Sequence, residues 1–140
     1  MEEWRAKALE CFPDLQELIE KQPNPMGLWI ELAFALEHVY EEKSPRDEEI
    51  GKFYDYAAWC FKQPRTESAE TDLSSCVAVC FIEHIPLHHG ISKDLYRWMS
   101  AGSFHGFENL FRYHLSDEQF KKFSSEFHAK KKAFKGTPRL

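Results

Sequence analysis

Seven histidines, four cysteines and 23 carboxylates supply the residue types from which a metal or acid–base site could be built, so their spacing comes first. Cys76, Cys80, His84 and His88 follow one another at intervals of four, which on an α-helix places all four on one face. Each of these types ligates zinc. At a rise of about 1.5 Å per residue the ends of that row lie about 18 Å apart, so one ion would take only a neighbouring pair, and Pro86 disturbs the His84–His88 step. The candidate metal ligands are therefore His84, His88 and His89. The competing reading makes Cys76 and Cys80 small core hydrophobes and leaves His88 and His89 in an exposed turn.

A second constellation is the repeated dipeptide Glu37-His38 and Glu83-His84. A carboxylate and an imidazole do general acid–base work when they converge on a substrate. Neighbours in a helix do not face each other, so neither dipeptide is a dyad by itself, and catalysis would need the two brought together. Glu83, His84, Glu37 and His38 are the candidate catalytic residues. The alternative is a buried histidine satisfied by a helix-borne glutamate. Glu83 and His84 interrupt an otherwise apolar segment, where an unpartnered charge is costly, so they must find partners or line a cavity. Aromatic residues crowd the same chain, among them Trp29, Tyr54, Tyr56, Trp59, Trp98, Phe104, Phe107 and Phe111. Helical spacing assigns most of them to a core rather than to a ligand. No glycine-rich phosphate loop, Gly-x-Ser-x-Gly, His-Glu-x-x-His or Cys-x-x-Cys occurs, which implies no cofactor and favours a binding role over a catalytic one.

The elements that must position these residues read as helices throughout. Trp4, Ala8, Leu9 and Phe12 share one helical face, and Pro13 starts a second short turn through Leu15, Leu18 and Ile19, so residues 1–23 read as a broken helical hairpin. Asn24-Pro25 is an N-cap followed by a proline suited to the first helical position. The stripe Leu28, Leu32, Ala35, Leu36 and Val39 predicts a long helix after it. Ser44-Pro45 repeats the start signal, with Glu48 in a weakened capping box, ahead of Ile50, Phe53, Tyr54, Ala57, Cys60 and Phe61. Residues 65–72 carry no large apolar side chain and predict a mobile loop. Leu73 to Ile85 is apolar almost all round and predicts a central helix, with a buried strand as the alternative. Val79→Asp inside it should then be severely destabilising. Shorter helices follow through Tyr96, Trp98, Phe104 and Phe111, and Ser116-Asp117-Glu118-Gln119 is a capping box launching a last helix with Phe120, Phe123 and Phe127.

Together these predict an all-α single domain over residues 1–140, a helical bundle or short stack of helical hairpins with six to seven helices. The likeness of residues 33–39 to residues 79–85, offset by 46, hints at a repeat, although only Glu-His is identical in it. Residues 128–140 are basic and read as a frayed tail.

Net charge is −5, but residues 1–70 hold eight Lys/Arg against sixteen Asp/Glu, while residues 71–140 hold ten against seven. An acidic half of −8 disfavours nucleic acid and favours a basic protein partner, with Glu41, Glu42, Asp47, Glu48 and Glu49 around one turn as the partner-binding candidates. The longest uncharged apolar run, Cys76 to Ile82, is too short to cross a membrane, and the N-terminus lacks the basic-then-apolar pattern of a secretory signal. Cysteines placed inside apolar patterns suit free thiols in a reducing cytoplasm.

Leu28-Trp29-Ile30-Glu31-Leu32, Tyr56-Ala57-Ala58-Trp59-Cys60, Phe81-Ile82-Glu83-His84-Ile85-Pro86 and Leu95-Tyr96-Arg97-Trp98-Met99 resemble an uncharacterised family of small bacterial helical proteins, over about residues 25–115. Families of that kind are suspected to hold immunity-type or other interaction proteins. The resemblance implies a helical fold and a cytosolic setting, and it carries no activity, cofactor or catalytic residue. Two functional expectations follow: an interaction module, in the form of an immunity-type inhibitor using its acidic half, and an enzyme or small-ligand binder around Glu83 and His84.

Overall fold

Side chains that start helices set the layout. In the computed structural model, which describes residues 1–140, the Asn24 side chain accepts a hydrogen bond from Gly27 N at 2.8 Å and Pro25 occupies the first turn, so α3 (Pro25–Glu41) begins at the expected place. Ser116 and Gln119 close a reciprocal capping box that opens α9 (Asp117–Ala133). The start of α4 (Asp47–Phe61) differs from the expectation at Ser44-Pro45: its N-cap is Arg46, which makes no side-chain cap bond, and Asp47, Glu48 and Glu49 supply negative charge to the first turn instead.

The remaining elements are short. Residues 1–23 form α1 (Glu3–Cys11), a 3-10 turn (Pro13–Leu15) and α2 (Gln16–Glu20), matching the broken hairpin. After α4 come α5 (Leu73–Cys80), a 3-10 turn (Ile82–Leu87), α6 (His89–Asp94), a 3-10 turn (Leu95–Arg97), α7 (Ala101–Gly106), α8 (Glu108–Arg112) and α9. The fold is all-α, with nine α-helices rather than six or seven, because Gly, Pro and Ser residues cut the second half into pieces of five to eight residues before α9. No helix is long and apolar enough to cross a membrane.

One core of 27 buried residues takes a side chain from every α-helix. Its first half is an aromatic stack in which Trp29 lies between Tyr56 and Phe81, with ring centroids 5.4 and 5.5 Å apart. Tyr54 stacks on Trp98 at 5.6 Å. Its second half gathers Phe111, Phe120, Phe123 and Phe127 around Phe104, with Phe127 stacked on it at 4.1 Å. Offset and edge contacts of this kind add to the stabilisation from area burial alone.

The segment Leu73–Ile85 is not one helix. Phe81 leaves the helical path at φ −119°, ψ −67°, and His84 N then donates to Phe81 O at 3.0 Å, closing a 3-10 turn. Pro86, inside that turn, keeps an α-helix from resuming through it, because it has no N–H to donate to Ile82 O. Val79 lies on the outer face of α5, 47% exposed, so a charge there does not probe the core. The likeness of residues 33–39 to 79–85 is no structural repeat, since the first stretch is continuous helix and the second is a helix end and a turn.

Two segments expected to be loose are tied down. Asp72 caps α5 by accepting from Ser75 N and Ser75 Oγ, takes a further bond from Thr66 N, and lies 3.1 Å from the Arg65 guanidinium. Glu70 O accepts from Met26 N, which pins the loop to α3. At the other end, Lys131 Nζ donates to Tyr96 O and Met99 O, both at 2.9 Å, while Arg139 N and Leu140 N both donate to Trp98 O. Arg139 also pairs with Asp55 at 2.7 Å. The basic end is therefore a fastened strap and not a frayed tail, because the 3-10 turn before α7 leaves carbonyls that only donors from another segment satisfy.

Candidate functional sites

Two places collect side chains of the required chemistry. The first opens between the 3-10 turn Pro13–Leu15, the second half of α3 and the first half of α4. Phe12, Leu15, Ala35, Val39 and Phe53 wall a cleft of about 260 Å3. Asp14, His38, Glu49 and Lys52 form its rim, with Lys52 Nζ 3.3 Å from Glu49 Oε1. A neighbouring cleft of about 520 Å3 shares Asp14 and Leu15 and adds Glu17, Glu31 and Lys21. The apolar slot is thus flanked by carboxylates on both sides.

The partner-binding candidates divide around this cleft. Glu49 is on its rim, and Glu41, Glu42 and Glu48 stand exposed on the turn that leads to it, without an ion pair. Asp47 is engaged within the molecule: Arg97 donates to both its oxygens, at 2.8 and 2.9 Å, and this guanidinium holds the Asp47 carboxyl below the usual carboxylate range. Arg97 also binds Asp94, which accepts from Tyr40 Oη at 2.6 Å and Trp98 Nε1 at 3.0 Å. Asp47 belongs to this structural network.

The second place is where the 3-10 turn Ile82–Leu87 packs against α8. Glu83, His84 and His114 bring one ligand atom each to within 4.8 Å of one another. His114 Nε2 lies 2.9 Å from Glu83 Oε1, and the rings of His84 and His114 are 4.9 Å apart between centroids. Glu83 is buried, whereas both histidines are exposed, so the carboxylate is held by packing while the imidazoles reach solvent. The two clefts described above are lined by other residues.

The other candidates go elsewhere. His38 Nδ1 donates to Phe34 O at 2.8 Å and the side chain faces the apolar cleft, so Glu37-His38 does not join Glu83-His84 in one site. His88 caps α6 by accepting from Ile91 N, and His89 is exposed in that helix's first turn; neither reaches His84 as a ligand. Burial pushes the Cys60 and Cys76 thiols up to about 12, and burial followed by the Glu83 charge raises Cys80, so these thiols stay protonated. All four cysteines are free.

The residue that sequence reasoning missed is His114. It follows Phe107, Leu110 and Phe111 at helical spacing and so reads as one more position of an apolar stripe. Nothing local marks it as a partner of Glu83, 31 positions earlier. No protein-family model, curated protein or solved structure matches the chain.

Proposed function

We propose that this chain is a protein-interaction module whose N-terminal half takes a basic segment of a partner carrying one large apolar side chain. The apolar cleft between Phe12, Ala35, Val39 and Phe53 carries the reading, because Asp14 and Glu49 line it, exposed Glu31 lines the cleft next to it, and exposed Glu41, Glu42 and Glu48 follow Val39 and precede Glu49 in the chain without an ion pair. Burying a Leu- or Phe-sized anchor in such a slot contributes about 1.5–3 kcal/mol, and surrounding opposite charge raises the association rate and selects the partner. An immunity-type inhibitor, acting in a reducing cytoplasm, is the form of this function that the acidic half, the free thiols and the family resemblance favour.

The test uses defined probes. A fluorescent nonapeptide of Lys and Arg flanking a central Phe is titrated in anisotropy against the whole protein, beside the same peptide with Ala at the centre. The Phe peptide should bind about ten-fold or more tighter, the scale of that anchor energy. Both should weaken as salt shortens the screening length to about 8–10 Å. Ala35→Phe, which fills the slot, should erase the preference for Phe without lowering helicity. Equal binding of the two peptides, or a preference that survives Ala35→Phe, would show that the cleft anchors nothing.

A further inference from the structure

We infer that Glu83, His84 and His114 form a site for one divalent transition-metal ion of the zinc type. A carboxylate and two imidazoles are the donor set that zinc takes with three protein ligands, leaving a fourth position to water. Nitrogen donors in the majority argue against calcium and magnesium, which take oxygen. Tetrahedral bonds of about 2.0–2.2 Å require donors about 3.3–3.6 Å apart. Glu83 Oε1 and His114 Nε2 stand 2.9 Å apart and all three donors within 4.8 Å, so small rotations bring the set to that spacing. Both imidazoles are exposed, and Glu83 is buried.

The setting supplies a reason for the arrangement. A single buried carboxylate faces two exposed imidazoles whose ring centroids lie 4.9 Å apart, so three donor atoms converge on one point. One dication satisfies all three groups with both rings neutral. The bound ion ties the turn Ile82–Leu87 to the segment just after α8, which meet otherwise through packing and the Glu83–His114 pair. Cys80 is not among the donors that lie within 4.8 Å of one another.

Metal-stripped whole protein is titrated with Co2+ and followed by visible absorption, then with Zn2+, which should displace it. One equivalent should bind with tetrahedral-type bands, and Zn2+ should raise Tm. His84→Gln and His114→Gln change exposed side chains, so the fold survives, and each should weaken binding by at least about ten-fold, the loss that even outer-shell partners cause. His38→Gln and His89→Gln should bind as the parent does. Acidification should release the metal, because protons compete for both imidazoles. Absence of saturable one-equivalent binding, or binding that survives His84→Gln and His114→Gln, overturns the site. Unchanged binding in folded Glu83→Gln overturns the three-ligand set; if that variant fails to fold, the two histidine variants decide.

Discussion

Glu37-His38 and Glu83-His84 are one dipeptide in two settings. In mid-α3 the backbone is straight, Glu37 is half-buried, and His38 turns back to the carbonyl of Phe34 one turn earlier and faces the apolar cleft. In the 3-10 turn after α5 the backbone bends at Phe81, Glu83 is buried, and both residues meet His114. An acid beside an imidazole meets a third such group only where the backbone bends and a distant segment packs against the bend. The dipeptide alone supplies neither.

The largest expected effect comes from removing the bend. Phe81 is 2% exposed and stacked on Trp29, so Phe81→Ala should cost about 3–5 kcal/mol in urea unfolding and disorder the Glu83 turn. Val79→Asp, two residues earlier but exposed, should stay within about 0.5 kcal/mol. Comparable losses in the two variants would mean that α5 continues through residue 81 and that the two dipeptides share one backbone setting.

A second test contrasts Glu83 with the other buried carboxylate. Asp72 accepts hydrogen bonds from Ser75 and Thr66, and these hold its carboxyl below the ordinary value of 3.8. A carboxyl lowered by folding contributes stability above its unfolded value, lost as pH falls through the folded one. Asp72→Ala should therefore cost about 1 kcal/mol near pH 7, the usual worth of an N-cap, and flatten the decline of stability below about pH 4. Urea melts from pH 3 to 7 measure both, and an unchanged acid limb would show that the cap is not charged when folded.

The smallest effects sharpen the comparison directly. Glu83→Gln keeps the shape but removes the charge facing His114, and should cost up to about 1 kcal/mol in apo protein. Glu37→Gln, lacking an ion pair, should fall within about 0.5 kcal/mol. Equal costs would erase the distinction between the two settings.

Legibility followed the range of the physics involved. Asn24-Pro25 and the box at Ser116-Gln119 are read within four residues, and the structure has both. Arg46 could not be read as a cap, because what opens α4 is the charge of its first turn and the contact of Asp47 with Arg97, fifty positions away. Glu83 and His84 were legible as polar residues in need of partners. His114 was not, since its role depends on α8 packing against the turn Ile82–Leu87. The apolar cleft likewise draws Phe12 from the end of α1, Val39 from α3 and Phe53 from α4, each of which reads as ordinary core.

By itself the sequence determined the all-α class, the hairpin at residues 1–23, the starts of α3 and α9 and the acidic character of the first half, because caps, proline and charge count act locally or by simple addition. Only the tertiary structure decided where Leu73–Ile85 breaks its helix, that the basic end is fastened to Trp98, and which histidine faces Glu83. Those outcomes turn on whether a backbone carbonyl, an ammonium or a buried carboxylate finds its partner in a distant segment, and burial makes each such pairing obligatory without announcing it in the local pattern.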